Sequence, residues 1–69
     1  MKDFKTLRKE RGLTQQFVAD KANISLRQLV RIEKKESFPS LETKILLFKA
    51  LDISESEIIK YIIDNYIKN

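Results

Sequence analysis

Apolar positions along this chain come in five short bursts, each at helical rather than alternating spacing and separated by turn- and cap-forming residues. The first, over residues 2–10, pairs Phe4 with Leu7 and stops at Gly12. Thr14 caps the second, QQFVADKA, whose Val18, Ala19 and Ala22 form a packing face of small residues. Asn23 then stands where a left-handed residue would end that helix. Ser25 caps the third, with Gln28 at the spacing of a capping box. After Pro39 and Ser40 the fourth begins near Leu41 and lines Leu41, Ile45, Phe48 and Leu51 on one side. Ser54 caps the fifth, about residues 55–68, with Glu57 at its third helical position. The pattern predicts an all-α fold, a compact bundle of five short helices in a single domain, residues 1–69.

The third helix carries the most informative pattern. Placed at about 100° per residue with Leu29 at zero, Leu26, Ile32 and Glu33 fall on the apolar side. Arg27, Arg31 and Lys34 fall at about 140–200°, on the opposite side, and Gln28 flanks them. The helix therefore has a core face holding one carboxylate and an outer face of long cations. Two short helices joined by an Asn-containing turn, with the cations on the second, have the geometry of a helix-turn-helix over about residues 14–35. DNA binding becomes a candidate on this ground alone. An ordinary solvated basic surface fits the same residues.

Composition narrows the classes. One Gly, one Pro and 35% charged residues suit helices joined by short loops. The chain has no cysteine and no histidine, which removes disulfides, thiolate and imidazole metal sites, and the commonest general base. No paired carboxylates in a pocket, glycine-rich phosphate loop or metal-ligand spacing stands out, so no enzyme, metal or cofactor is expected. The charged amino terminus and the short apolar runs predict a soluble cytoplasmic protein without a signal peptide or membrane contact. Net charge is +4, but residues 1–35 hold ten Lys and Arg against four Asp and Glu, while residues 36–69 hold four against six. That asymmetry places a polyanion among the partners, with general solubility as the plainer account.

From about Leu7 to Ser54 the chain resembles the Cro/phage-repressor family of XRE-type helix-turn-helix domains. The residues that carry the resemblance are LRKERGLTQQFVADKANIS and LVRIEKKESFPSLETKILLFKALDIS. Asn23 and Asp52 stand where the family usually has glycine, and Leu26 stands where lambdoid repressors often place a polar base-reading side chain. The resemblance implies a lambda-repressor-like DNA-binding domain. It also implies that Arg8 and Glu33 pair as a buried salt bridge and that Gln15 grips a phosphate; a partly exposed Glu33 bonded only to water is the alternative.

On the outer face, Arg27 and Arg31 can each fork onto a guanine, Gln28 can bond adenine or phosphate, and Leu26 can meet a thymine methyl. Gln15, Gln16, Ser25, Lys34 and Lys35 are the expected phosphate contacts. Phe17 has two readings, packing beside helix 1 or the loop after helix 3, or touching the sugar-phosphate edge, and is not counted in the site.

On the fifth helix the isoleucines and Tyr66 spread over about 180°, more than one core-facing stripe of about 100° requires. The excess makes Leu46, Ile59, Ile63, Tyr66 and Ile67 a candidate homodimer interface, with Leu47 joining Leu46; wrapping around the chain's own core is the competing account. The combined expectation is a transcriptional regulator, more readily a repressor, binding a near-palindromic operator as a dimer. A protein-interaction module, or an antitoxin-type partner keeping the fold without specific DNA readout, is the alternative.

Overall fold

The computed structural model describes residues 2–67. Five α-helices follow in order, α1 (Phe4–Glu10), α2 (Gln15–Ala22), α3 (Leu26–Glu33), α4 (Leu41–Ala50) and α5 (Glu55–Ile62), and a π-helical turn, Ile63–Ile67, ends them. No strand occurs among the described residues, and no helix there is long and apolar enough to cross a membrane.

Each helix starts where a side-chain oxygen can take an otherwise unpaired N–H. Asp3 accepts from Thr6 at 2.8 Å, so α1 opens at Phe4, two residues later than its spacing predicts. Thr14, Ser25, Ser40 and Ser54 do the same for Phe17, Gln28, Thr43 and Glu57. The capping box at Ser25 is half made. Ser25 Oγ accepts the Gln28 N–H at 3.0 Å, and the Gln28 side chain makes no bond in return.

Four residues take left-handed backbone where helices stop: Gly12 (φ 66°), Asn23 (φ 58°), Lys35 (φ 62°) and Asp52 (φ 61°). Lys35 is the unexpected one, because its Cβ makes this conformation costly. The loop holds it there through its own N–H to Ile32 O at 3.0 Å and the Glu36 N–H to Arg31 O at 2.9 Å. Lys35→Gly should therefore raise the unfolding free energy by about 0.5–1 kcal/mol. A urea midpoint that falls instead would show that the strain is absent.

The core is built from the predicted small face of α2 and the inner side of α3. Ala19, Ala22 and Leu29 are fully buried, and Val18 and Ile32 nearly so. Small side chains at Ala19 and Ala22 let α2 lie close to both α3 and α4, which are its principal neighbours. α4 buries a wider arc than the four predicted positions. Leu47, expected to stand with Leu46 on an outer patch, is 0% exposed and central to the core, and Ala50 joins it. A ladder of rings closes the far side, with centroids 5.1 Å apart for Phe4–Phe48, 5.0 Å for Phe48–Tyr61 and 6.3 Å for Tyr61–Tyr66. Lys44 Nζ donates to Tyr66 at 2.9 Å and reaches Tyr61 at 3.4 Å, which fastens the π-helical turn to α4. The fifth helix predicted over 55–68 is thus an α-helix to Ile62 and a wider turn to Ile67; residue 68 lies outside the described residues.

Candidate nucleic-acid interface

The outer side of α3 is built by exclusion. Leu29 and Ile32 fill the core, Val30 is half-buried, and Arg27, Gln28 and Arg31 are left exposed along one flank. Arg27 and Arg31 are four residues apart, about one helical turn, so their side chains leave the same side of the helix. Neither makes an ion pair or side-chain hydrogen bond among the described residues, so both forks remain available. Leu26, on the apolar side by its spacing, is nevertheless 39% exposed at the first position of α3. Such a helix carries bidentate donors into a groove about 12 Å wide without displacing core.

Beneath this flank, Glu33 is the hub. Arg8 Nε donates to its Oε2 at 2.7 Å and Arg8 Nη2 to its Oε1 at 2.9 Å, the fork geometry of a strong ion pair. The side chains are 11% and 3% exposed. A third bond comes from Gln15 Nε2 to Glu33 Oε1 at 3.0 Å, and Arg8 Nη1 also donates to Leu13 O at 2.9 Å. Burial alone would push the Glu33 carboxyl up, but the bonds from Arg8 and Gln15, with the charges of Arg8 and Lys5, hold it below its usual value of 4.5. Arg8 is raised chiefly by the same bond. One carboxylate thus ties α1, the start of α2 and the end of α3 together.

Gln15 consequently differs from a free phosphate grip. One hydrogen of its amide is committed to Glu33, which leaves the second and the neighbouring α2 N–H groups to face outward. Gln16, exposed, donates to Asp20 at 2.9 Å and likewise keeps one hydrogen. Ser25 uses its oxygen as the α3 cap and retains its O–H to donate. Lys34 and Lys35 are exposed beyond the end of α3, where Lys35 lies 4.0 Å from Asp3. Of these candidates, Gln15 is joined to the end of α3 through Glu33, whereas Lys35 lies toward Asp3 at the start of α1.

Phe17 is half exposed with Lys21 Nζ 5.7 Å from its ring centre, and it borders a shallow groove with Leu13, Ala50 and Leu51. The same groove is lined by Glu10 and Arg11 at the end of α1 and by the end of α4, so Phe17 lies beside α1 and not the loop after α3. Sequence reasoning missed Gln15's bond to Glu33 and the anchoring of α1 by Arg11, which donates to Leu51 O at 2.7 Å and Leu7 O at 3.0 Å. The bonds of Gln15 to Glu33 and of Arg11 to Leu51 have no local spacing signal, since they join residues brought together only by folding.

The candidate interface on α5 is divided. Ile58 is buried and Ile62 half-buried, whereas Leu46, Ile59, Ile63 and Ile67 are exposed. Tyr66 is also about half exposed, with its hydroxyl engaged by Lys44.

Residues 4–58 match the profile of the helix-turn-helix family. An immunity repressor protein of Bacillus phage phi105 is 46% identical over 55 residues, covering 80% of this chain and 38% of that protein. The chain thus spans well under half the length of this relative. No solved structure matches it. With the matched region covering α1 to α4, including the two helices of the motif, and the first turn of α5, the chain belongs to the XRE-type helix-turn-helix family of Cro and phage-repressor domains.

Proposed function

We propose that the protein is a sequence-specific double-stranded DNA-binding transcriptional regulator that acts as a repressor in the cytoplasm. The observation that carries this reading is the unpaired, outward placement of Arg27 and Arg31 on a helix whose seating is fixed from behind by Arg8, Glu33 and Gln15. In this reading α3 lies in the major groove, with Arg27 and Arg31 on guanines, Gln28 on an adenine or phosphate, and Leu26 against a thymine methyl. Gln15, Gln16, Ser25, Lys34 and Lys35 fix the register by holding phosphates. The relative's description as an immunity repressor supports the sign of regulation. Occupying an operator is binding work, and it calls for no catalytic group or cofactor.

Leu46, Ile59, Ile63, Tyr66 and Ile67 form the surface through which two copies pair. A dimer would set two α3 helices about 34 Å apart on one side of the duplex, which requires a near-palindromic site. Ile59→Lys should then abolish self-association in sedimentation equilibrium while leaving the fold intact, since this side chain is outside the core. A wild-type protein that stays monomeric at every concentration would remove the dimer.

Selection of bound sequences from a random duplex pool at physiological salt tests specificity, symmetry and half-site spacing together. The same apolar surface also favours a second reading, a module that docks on another protein. The two separate by salt. DNA affinity should fall steeply between about 50 and 200 mM salt as condensed cations are released. Absent or salt-insensitive duplex binding favours the protein-docking module.

A further inference from the structure

We propose that the chain carries a second binding site, a small cavity for an amphipathic carboxylate, where α1, the α3–α4 loop, α4 and α5 meet. The cavity measures about 300 Å³, at the lower end of the range for small-molecule pockets. Its walls include Phe4, Ile32, Phe38, Pro39, Phe48 and Tyr61. Phe4, Phe48 and Tyr61 belong to the ring ladder, so this part of the wall is already assembled. Phe38 stands at the edge, 87% exposed, an aromatic side chain that the chain itself leaves uncovered.

Charge selects the head group. Lys2, Lys5, Lys35 and Lys44 also border the cavity, against Asp3 and Glu33. Lys2 pairs with Glu10, Glu33 is taken by Arg8, and Lys35 lies near Asp3. Among the described residues, Lys5 and Lys44 are left without a carboxylate partner. Lys44 bonds two phenols, and its ammonium still has a third hydrogen to give. Lys5 acts at a distance on Glu33 and Asp3, but four lining cations face two lining carboxylates, and this surplus beside an aromatic wall suits one anionic head with a short apolar tail. A cation is repelled, and a polyphosphate finds mostly hydrocarbon. Arg27, Gln28 and Arg31 do not line this cavity, so the base-reading flank is separate from it, although Lys35 and Glu33 border both regions.

Titration of 15N-labelled protein with octanoate, kept below its micelle concentration, tests the site, with octanol and octylammonium as controls for charge. Octanoate should give saturable one-to-one shifts confined to the surroundings of Phe4, Phe38, Phe48 and Tyr61. Octanol should bind about threefold or more weakly, and octylammonium weaker still. Phe38→Ala and Lys5→Gln change exposed side chains outside the core, so both variants should fold; each should weaken octanoate by about threefold to fivefold. Shifts scattered over the α5 isoleucines, equal affinity for octanol, or unaltered binding by both variants would overturn the proposal. So would ligand-free shifts at these residues that grow with protein concentration, which would assign the cavity to a second copy of the chain.

Discussion

Glu33→Ala should lower the unfolding free energy by about 3 kcal/mol, because it strands the Arg8 guanidinium in a site that is 11% exposed. The loss is large on the scale of this chain, for which about 3–10 kcal/mol of total stability is typical. It corresponds to a fall in melting temperature of roughly 12–24 °C, read by calorimetry or by urea titration. An unchanged midpoint would mean that Arg8 reaches water at no cost once its partner is gone. The substitution also removes the acceptor for Gln15.

Acid should act on the same residue. The folded-state carboxyl lies below its usual value of 4.5, so the ion pair contributes fully above that value and its contribution is lost as pH falls through the lowered one. Wild-type protein should therefore lose stability on acidification more steeply than Glu33→Gln, which begins less stable at neutral pH. Parallel acid limbs for the two proteins would contradict the assignment.

The second large effect concerns DNA. Arg27→Ala or Arg31→Ala should each cost about 1–3 kcal/mol per half-site on the preferred sequence, and twice that if two copies bind together. Either change should relax the base preference at one position while leaving weak, non-specific binding nearly intact. Lys34→Ala should instead weaken all sequences alike and shallow the salt dependence by about one unit per protomer. Fluorescence anisotropy on matched and scrambled duplexes separates these patterns. Equal losses on both duplexes for the arginine variants would place those side chains on phosphates rather than bases.

What could be read from the chain was what depends on neighbours in sequence. Thr14, Ser25 and Ser54 mark helix starts because a short hydroxyl side chain has a local acceptor role, and all three cap the helices observed; Ser40, read only as a break before Leu41, caps α4 in the same way. Asn23 and Asp52 end helices in the left-handed region, where short polar side chains are tolerated. The inward placement of Leu29 and Ile32, and the outward placement of Arg27 and Arg31, followed from helical spacing. Lys35 gave no warning of its left-handed backbone, because lysine carries no local preference for it. Leu47 was misplaced because α4 is buried on a broad arc, against both α2 and the ring ladder, so its single apolar stripe understated the buried side. The change from α-helix to π-helical turn after Ile62 is accompanied by a bond from the distant Lys44 to Tyr66, which no repeat in residues 55–67 encodes. Gln15 was read through its resemblance to a phosphate grip, and its tie to Glu33 appears only when α2 and α3 are set side by side.

The ring ladder also gives the molecule an optical property. It has no tryptophan and only two tyrosines, and both are bonded by Lys44. Ultraviolet emission from the unlabelled chain should therefore report loosening of the carboxyl-terminal turn, and no aromatic group stands on the outer flank of α3. An extrinsic dye would be needed to watch that end.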